Sequence, residues 1–167
     1  MCVGWVLAVL WAAGAKSQDA EPQLSMTDGA RRTGSIMRRE VAWSTELPLN
    51  RTYAQLTPEQ KARFHSMYEL IAPGDEPPFP EHGLKPIVSA IYRAQEMLLA
   101  RCQLRFIVTV DEDGKGKKVE AFGDCDRPDM TRFTSQVLLL TKYKPAICGG
   151  VPCMMEFPFN LQLKVRK

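Results

Sequence analysis

Cys102-Gln103-Leu104-Arg105-Phe106-Ile107-Val108-Thr109-Val110-Asp111-Glu112-Asp113-Gly114-Lys115 is the stretch on which the fold turns. Cys102, Leu104, Phe106, Val108 and Val110 share one face, and Gln103, Arg105, Ile107 and Thr109 the other. That period of two predicts a half-buried strand. Asp113-Gly114 then signals a hairpin, because a two-residue turn needs φ > 0 at both central positions. Val119, Ala121 and Gly123 continue on the return strand. With Asp113-Gly114 as the loop, Val108 faces Val119, Phe106 faces Ala121, Leu104 faces Gly123, and Cys102 faces Cys125. Counting out from the turn makes the two cysteines a hydrogen-bonded pair, with Cα atoms about 5.5 Å apart and within reach of a disulfide.

Helices flank this hairpin. Upstream, Pro86 opens a helix whose Ile87, Ala90, Ile91, Ala94 and Leu98 keep one face apolar, ending near Arg101. Downstream, Asp126 or Arg127 precedes a helix with Pro128 in its first turn and Met130, Phe133, Val137 and Leu140 on its apolar face. Tyr143-Lys144-Pro145 ends it. The last strand runs from Cys153, with Met155, Phe157, Phe159, Leu161, Leu163 and Val165 on one face. Met154, Glu156, Pro158, Asn160, Gln162, Lys164 and Arg166 alternate with them. Pro158 has no N–H to give a ladder, so an exposed edge or a bulge is expected there.

Farther upstream, Thr57-Pro58-Glu59-Gln60 reads as a capping box with proline at the first helical position. Phe64, Met67, Tyr68 and Ile71 extend that helix to a stop at Pro73-Gly74. A connector with Pro77, Pro78 and Pro80 follows. Residues 16–49 are polar without sustained period and read as a loosely ordered lead-in. Val3 to Ala15 is apolar but short of the roughly 20 residues a spanning helix needs. Ala13-Gly14-Ala15 has the small-x-small form of a signal-peptide cleavage site. No Lys or Arg precedes the run, so a buried helix is the alternative.

The chain has 167 residues, a net charge of +3 and five cysteines. Its basic residues are scattered rather than striped, which does not favour nucleic acid. Cleavage after Ala15 removes Cys2 and leaves Cys102, Cys125, Cys148 and Cys153. An even count in an exported chain reads as disulfides. Cys148 and Cys153 bracket Gly149-Gly150-Val151-Pro152, directly opposed across a four-residue loop or diagonal across a Gly-Gly turn. Four cysteines allow three connectivities, and spacing alone does not choose among them. There is no C-x-x-C, and His65 and His82 lie far from the cysteines, so no metal or other cofactor is expected. Asp111, Glu112 and Asp113 cluster, but at a turn, where acidic residues serve turn geometry. No catalytic residues and no enzyme activity are expected.

The element order is thus helix, strand, strand, helix, strand. Val108-Thr109-Val110-Asp111-Glu112-Asp113-Gly114-Lys115 resembles the V-x-V-D-x-D-G-x hairpin of the TonB C-terminal domain family. Lys142-Tyr143-Lys144-Pro145-Ala146 resembles its aromatic-basic-x-Pro-Ala segment. Gly150-Val151-Pro152 resembles its G-x-P step, Phe157 to Val165 its closing strand, and Phe79-Pro80 its opening Tyr-Pro. The resemblance covers residues 79–167. It implies an α+β fold, a small antiparallel sheet against two helices, here with an extra N-terminal helix in residues 50–78.

The resemblance also implies a periplasmic module at a Gram-negative envelope, serving energy-coupled nutrient or siderophore transport. Such a module binds the TonB box of an outer-membrane receptor by strand addition, and a homodimer is compatible with that role. The expected docking edge is the last strand, at Met154, Glu156, Phe157, Pro158 and Asn160. Inner-membrane motor proteins would be partners if the N-terminus is an anchor. Val3–Ala15 is short for an anchor and the spacer after it is brief. The alternative expectation is therefore a disulfide-stapled envelope adaptor with the same fold and no motor coupling.

Overall fold

The computed structural model describes residues 23–25, 36–37 and 47–164. The apolar N-terminal run, its cleavage pattern and Val165 lie outside these. In chain order the elements are β1 (Gln23–Ser25), β2 (Ile36–Met37), a 3-10 turn (Tyr53–Gln55), α1 (Pro58–His65), β3 (Tyr68–Leu70), β4 (Phe79–Pro80) and α2 (Lys85–Leu98). They continue with β5 (Cys102–Val110), β6 (Gly116–Cys125), α3 (Pro128–Leu140), β7 (Tyr143–Lys144), β8 (Ala146–Cys148), β9 (Val151–Cys153) and β10 (Met155–Leu163). The fold is α+β. Four strands form the main sheet in the order β1-β6-β5-β10, and small two-stranded ladders join β2 to β3, β4 to β7 and β8 to β9. Strand β5 runs antiparallel to both of its neighbours, β6 and β10, while β1 runs parallel to β6. Two stretches of the polar lead-in are thus strands.

The alternating face of the hairpin makes the core. Leu104, Phe106, Val108, Val110 and Val119 are buried, with Met155, Phe157, Phe159, Leu161 and Leu163 from β10. Ile87, Ile91 and Ala94 of α2 and Met130 and Leu138 of α3 are buried in the same cluster. Each such side chain contributes about 1.5–3 kcal/mol by leaving water.

The hairpin turn differs from the expected one, and the difference is instructive. The Gly114 N–H donates to the Asp111 carbonyl, and the Asp111 N–H to the Lys115 carbonyl, both at 3.0 Å. The loop is therefore three residues, Glu112-Asp113-Gly114, with Gly114 at φ +78°. That moves Val110 opposite Gly116. A bulge between Thr109 and Val110 moves the register back, so Val108 pairs with Val119 and Cys102 with Cys125. The residue partners match the expectation, but their phase does not. The Asp126 N–H donates to the Arg101 carbonyl, so the hydrogen-bonded pair is Arg101–Asp126. Cys102 and Cys125 form the intervening close pair, with Cα atoms 4.1 Å apart rather than about 5.5 Å.

Both disulfides are present, Cys102–Cys125 and Cys148–Cys153. Cys148 pairs with Val151 and Ala146 with Cys153, which selects the Gly149-Gly150 turn and the diagonal geometry. Both glycines have positive φ, as that turn demands.

Two helices depart from the pattern reading. The Thr57 cap and Gln60 form the expected capping box. Yet α1 stops at His65, and Met67, Tyr68 and Ile71 are not helical. The Ser66 hydroxyl turns back onto the Arg63 carbonyl, and Tyr68–Leu70 pairs with β2 instead. Tertiary pairing thus overrides a helical period that rested on few residues. In α3 the buried face is Met130, Thr131, Thr134, Ser135 and Leu138, while Leu140 is exposed. Small hydroxyl side chains let the helix approach the sheet closely. A Cβ on Gly116 would stand 2.7 Å from the Leu139 carbonyl oxygen.

The segment before residue 79 shares the core. Leu47, Tyr53, Leu56 and Phe64 are buried. Phe64 meets Phe79 edge-on, with ring centroids 5.5 Å apart, and contacts Phe157 at 6.1 Å. The connector is fixed too, since Glu76 and Ile147 exchange backbone hydrogen bonds at 2.8 and 2.9 Å. Among the described residues no helix is long and apolar enough to cross a membrane.

Candidate functional site

Strand β10 pairs without interruption to β5 from Met155 to Leu163, and Pro158 needs no bulge. Among the described residues its other side carries no strand. The phase of this free edge is set by one contact. The Tyr68 hydroxyl donates to the Glu156 carbonyl at 2.7 Å, so Glu156 presents its backbone away from β5. Outward groups recur at every second residue of an antiparallel strand, which places Pro158, Asn160 and Gln162 outward as well. Pro158 offers only a carbonyl there, which is why the ladder tolerates it. Asn160 and Gln162 offer both N–H and C=O.

A groove of about 230 Å³ follows this edge from Phe157 to Gln162. Val88, Ile91 and Tyr92 of α2 form one wall, and Leu47, Leu49, Phe64 and Met67 form another. The second wall is anchored where α2 begins. The Lys85 N–H, one of the donors a helix start leaves unpaired, donates to the Leu49 carbonyl at 2.7 Å. Gly83 sits under the same segment, where a Cβ would meet the Arg51 carbonyl oxygen at 2.7 Å.

The expected edge residues divide into distinct environments. Met154 lies between β9 and β10, 43% exposed and outside the groove lining. The Glu156 carbonyl is held by Tyr68 and its side chain is buried. Phe157 is buried in the aromatic core, in contact with Phe64, Phe79 and Tyr143. Pro158 and Asn160 line the groove. The Met154–Glu156 end of the edge is therefore separated from an open stretch that extends to Gln162. Gln162 was missed although the alternation included it. Leu47 and Leu49 gave no readable signal, because they reach the groove only through the fold-back of the early segment, and Tyr92 lies beside the apolar face read for α2 rather than on it.

Glu156 carries the most unusual electrostatics near the edge. It stands across Thr109 from Lys118, and Glu120 lies on the same face. Lys118 Nζ contacts Glu120 Oε1 at 2.7 Å. Burial pushes the Glu156 carboxyl up to about 7, the Glu120 carboxylate adds to that, and Lys118 opposes it. In the unfolded chain a glutamate titrates near about 4.3. Between these values the folded state holds more protons than the unfolded one, so stability falls as pH rises through the window. Glu156→Gln is expected to raise stability at pH 8 by about 2–3 kcal/mol and by much less at pH 4. Urea unfolding of both proteins at the two pH values measures this. A variant-minus-wild-type difference that does not change with pH contradicts it.

A second polar cluster ties the early segment down. The Tyr53 hydroxyl and His65 Nε2 are 2.7 Å apart. Burial, reinforced by Glu76, pushes the Tyr53 phenol up to about 12. Burial lowers His65, with Glu76 opposing and Lys61 assisting. The phenol stays protonated, and the tautomer of the His65 ring decides which of the two groups donates. Lys61 and Lys144 approach the Tyr53 ring at 4.7 and 4.9 Å, and Lys144 pairs with Glu76 at 2.9 Å. Neither Tyr53 nor His65 lines the groove. Among the described residues, no group of three or more His, Cys, Asp or Glu side chains stands where it could hold a metal ion.

The chain matches no family model, no curated protein and no solved structure.

Proposed function

We propose that this protein is a TonB C-terminal-like module of the cell envelope that takes up an extended receptor segment on the open edge of β10, in energy-coupled nutrient or siderophore transport. The observation that carries the reading is the free edge from Pro158 to Gln162 with an apolar groove beside it. Strand addition needs those two things, unpaired backbone groups for affinity and side-chain pockets for selection. The order α2-β5-β6-α3-β10 and the Val108–Lys115 hairpin support the family resemblance. Two disulfides suit an oxidising compartment such as the periplasm. A homodimer built on the same edge would compete with the receptor segment.

The test is titration of TonB-box peptides into the oxidised protein, followed by amide chemical shifts. The Asn160 and Gln162 amides are expected to shift, with saturation in the micromolar range. An unperturbed edge at millimolar peptide, with the fold intact, sinks the reading.

One observation favours an adaptor without motor coupling. Tyr68 already occupies the Glu156 carbonyl, so part of the edge is closed by the chain itself. Deleting the gene separates the two readings, because lost siderophore or vitamin uptake supports transduction and intact uptake supports the adaptor.

A further inference from the structure

The two disulfides differ in what surrounds them. Cys102 is 4% exposed and belongs to the core, and its partner Cys125 is half-buried. Cys148 and Cys153 are both half-buried, and the turn between them is open. Beyond their chain neighbours, Gly149 and Gly150 have no heavy atom within 4 Å of where a Cβ would stand. Val151 and Pro152 are exposed. Thiol–disulfide exchange needs a path for the attacking thiolate to one sulfur, and surroundings that accept the other as it leaves with negative charge. At Cys102–Cys125 one of these fails in either direction. The core blocks attack on Cys102, and attack on Cys125 expels Cys102 as a thiolate into apolar surroundings, which disfavour the charge. At Cys148–Cys153 either sulfur can be attacked and either can leave toward water.

The second difference is mechanical, because β8 carries the connector on one side. Glu76 and Ile147 exchange backbone hydrogen bonds at 2.9 and 2.8 Å. The Gly149 N–H donates to Asp75 Oδ1 at 2.9 Å, and Lys144 Nζ pairs with Glu76 Oε2 at 2.9 Å. On its other side β8 is held to β9 by a ladder of three residue pairs. A two-stranded hairpin of that size is marginal in water, which leaves the disulfide to hold its tip closed.

We propose that the Cys148–Cys153 disulfide is a redox-sensitive clasp, which a dithiol reduces ahead of Cys102–Cys125 and whose opening releases the connector at Asp75-Glu76. One thiolate of the dithiol bonds to Cys148 or Cys153, the S–S bond breaks, and the leaving sulfur takes a proton. The second thiol of the dithiol then displaces the first from the mixed disulfide. The dithiol ends as a disulfide, and each of the two cysteines gains a hydrogen. Neither cysteine lines the groove, so the clasp does not depend on what the β10 edge takes up.

Stepwise reduction of the oxidised full chain with dithiothreitol, with alkylation of the thiols formed and peptide mass mapping, tests the order of opening. Cys148 and Cys153 are expected to be alkylated together, about 10-fold or more faster than Cys102 and Cys125. Mapping reads each cysteine separately, Cys2 included. Amide hydrogen exchange at that stage tests the release. The Glu76 and Ile147 amides should exchange about 10-fold faster than in the oxidised protein, with Leu104 and Phe106 unchanged. Cys148→Ser combined with Cys153→Ser should show the same acceleration without reductant.

Three outcomes overturn the proposal. Cys102–Cys125 opens first or at the same rate, or Glu76 and Ile147 keep their protection after Cys148–Cys153 opens. In the third, protection is lost throughout β5 and β6 at that stage, which would make the bond a staple of the whole fold. Both measurements are made on the wild-type chain, so they decide the matter even if the double serine variant folds poorly.

Discussion

Gly114→Ala is expected to cost about 3 kcal/mol or more of folding stability, well beyond a typical point substitution. Gly114 holds φ at +78°, where an L side chain is strained by roughly 1–2 kcal/mol. The larger part comes from elsewhere in the chain. A Cβ on Gly114 would stand 2.0 Å from the Tyr143 carbonyl oxygen, a backbone atom that cannot swing aside. The Tyr143 N–H donates to the Gly114 carbonyl at 2.9 Å, and the Tyr143 hydroxyl donates to the Leu138 carbonyl at 2.7 Å. The hairpin tip is thus wedged under the exit of α3, and relieving the clash means giving up those bonds. Gly149→Ala is the control, with φ +56° and nothing within 4 Å of the added Cβ. It should cost only about 1–2 kcal/mol. Urea unfolding of the oxidised proteins measures both. Equal costs would mean that turn conformation alone explains Gly114.

That contrast marks where the sequence is legible. Asp113-Gly114 and Gly149-Gly150 announce turns by the same chemistry, and both are turns. Nothing local in Gly114 reveals Tyr143, about thirty residues away. The hairpin register makes the same point. The cysteine partners followed from counting a two-residue loop at Asp113-Gly114, and they hold because a bulge cancels the one-residue shift of the actual three-residue loop. The three-residue loop and its compensating bulge left the pairing intact while reversing the hydrogen-bonding phase of Cys102 and Cys125. Side-chain pattern reports which residues face the core. It carries no record of which backbone groups point outward.

The candidate edge follows the same division. Apolar alternation located β10. Of the edge or bulge expected at Pro158, the ladder has no bulge, and no strand lies on the outer side of β10 among the described residues. The even-numbered residues alternate with the apolar face, yet Glu156 and Pro158 are buried as well. Tyr68 caps the Glu156 carbonyl because α1 ends early and the chain folds back beside β10. The period of Phe64, Met67, Tyr68 and Ile71 fits a helix equally well, so no local signal distinguishes that fold-back. Its effect is to bring residues 47–67 to the groove as a wall, with the Asn160–Gln162 stretch left open.

Phe157→Ala is expected to cost about 3–5 kcal/mol, the range for emptying a large aromatic from a core. Its ring is 1% exposed and joins three parts of the chain. Centroids lie 5.3 Å from Tyr143, 6.1 Å from Phe64 and 6.2 Å from Phe79. Each such pair contributes about 0.5–1.5 kcal/mol beyond its buried area. Phe64 belongs to the early segment and Phe157 to β10, so this ring also clamps the groove wall to the edge. Two consequences separate that role from simple core filling. Phe64→Ala should cost less in the Phe157→Ala background than alone, by about 1 kcal/mol, because the two rings share one contact. Limited proteolysis of Phe157→Ala should cut within residues 47–70 before the disulfide-held strands open, since local stability tracks the contacts that remain. Additive costs, or cleavage at β5 and β6 as early as in α1, would show that the early segment is held independently of Phe157. If instead the segment loosens first, the same variant exposes the Glu156 carbonyl and lengthens the open edge. A docked strand could then pair from Glu156 through Gln162.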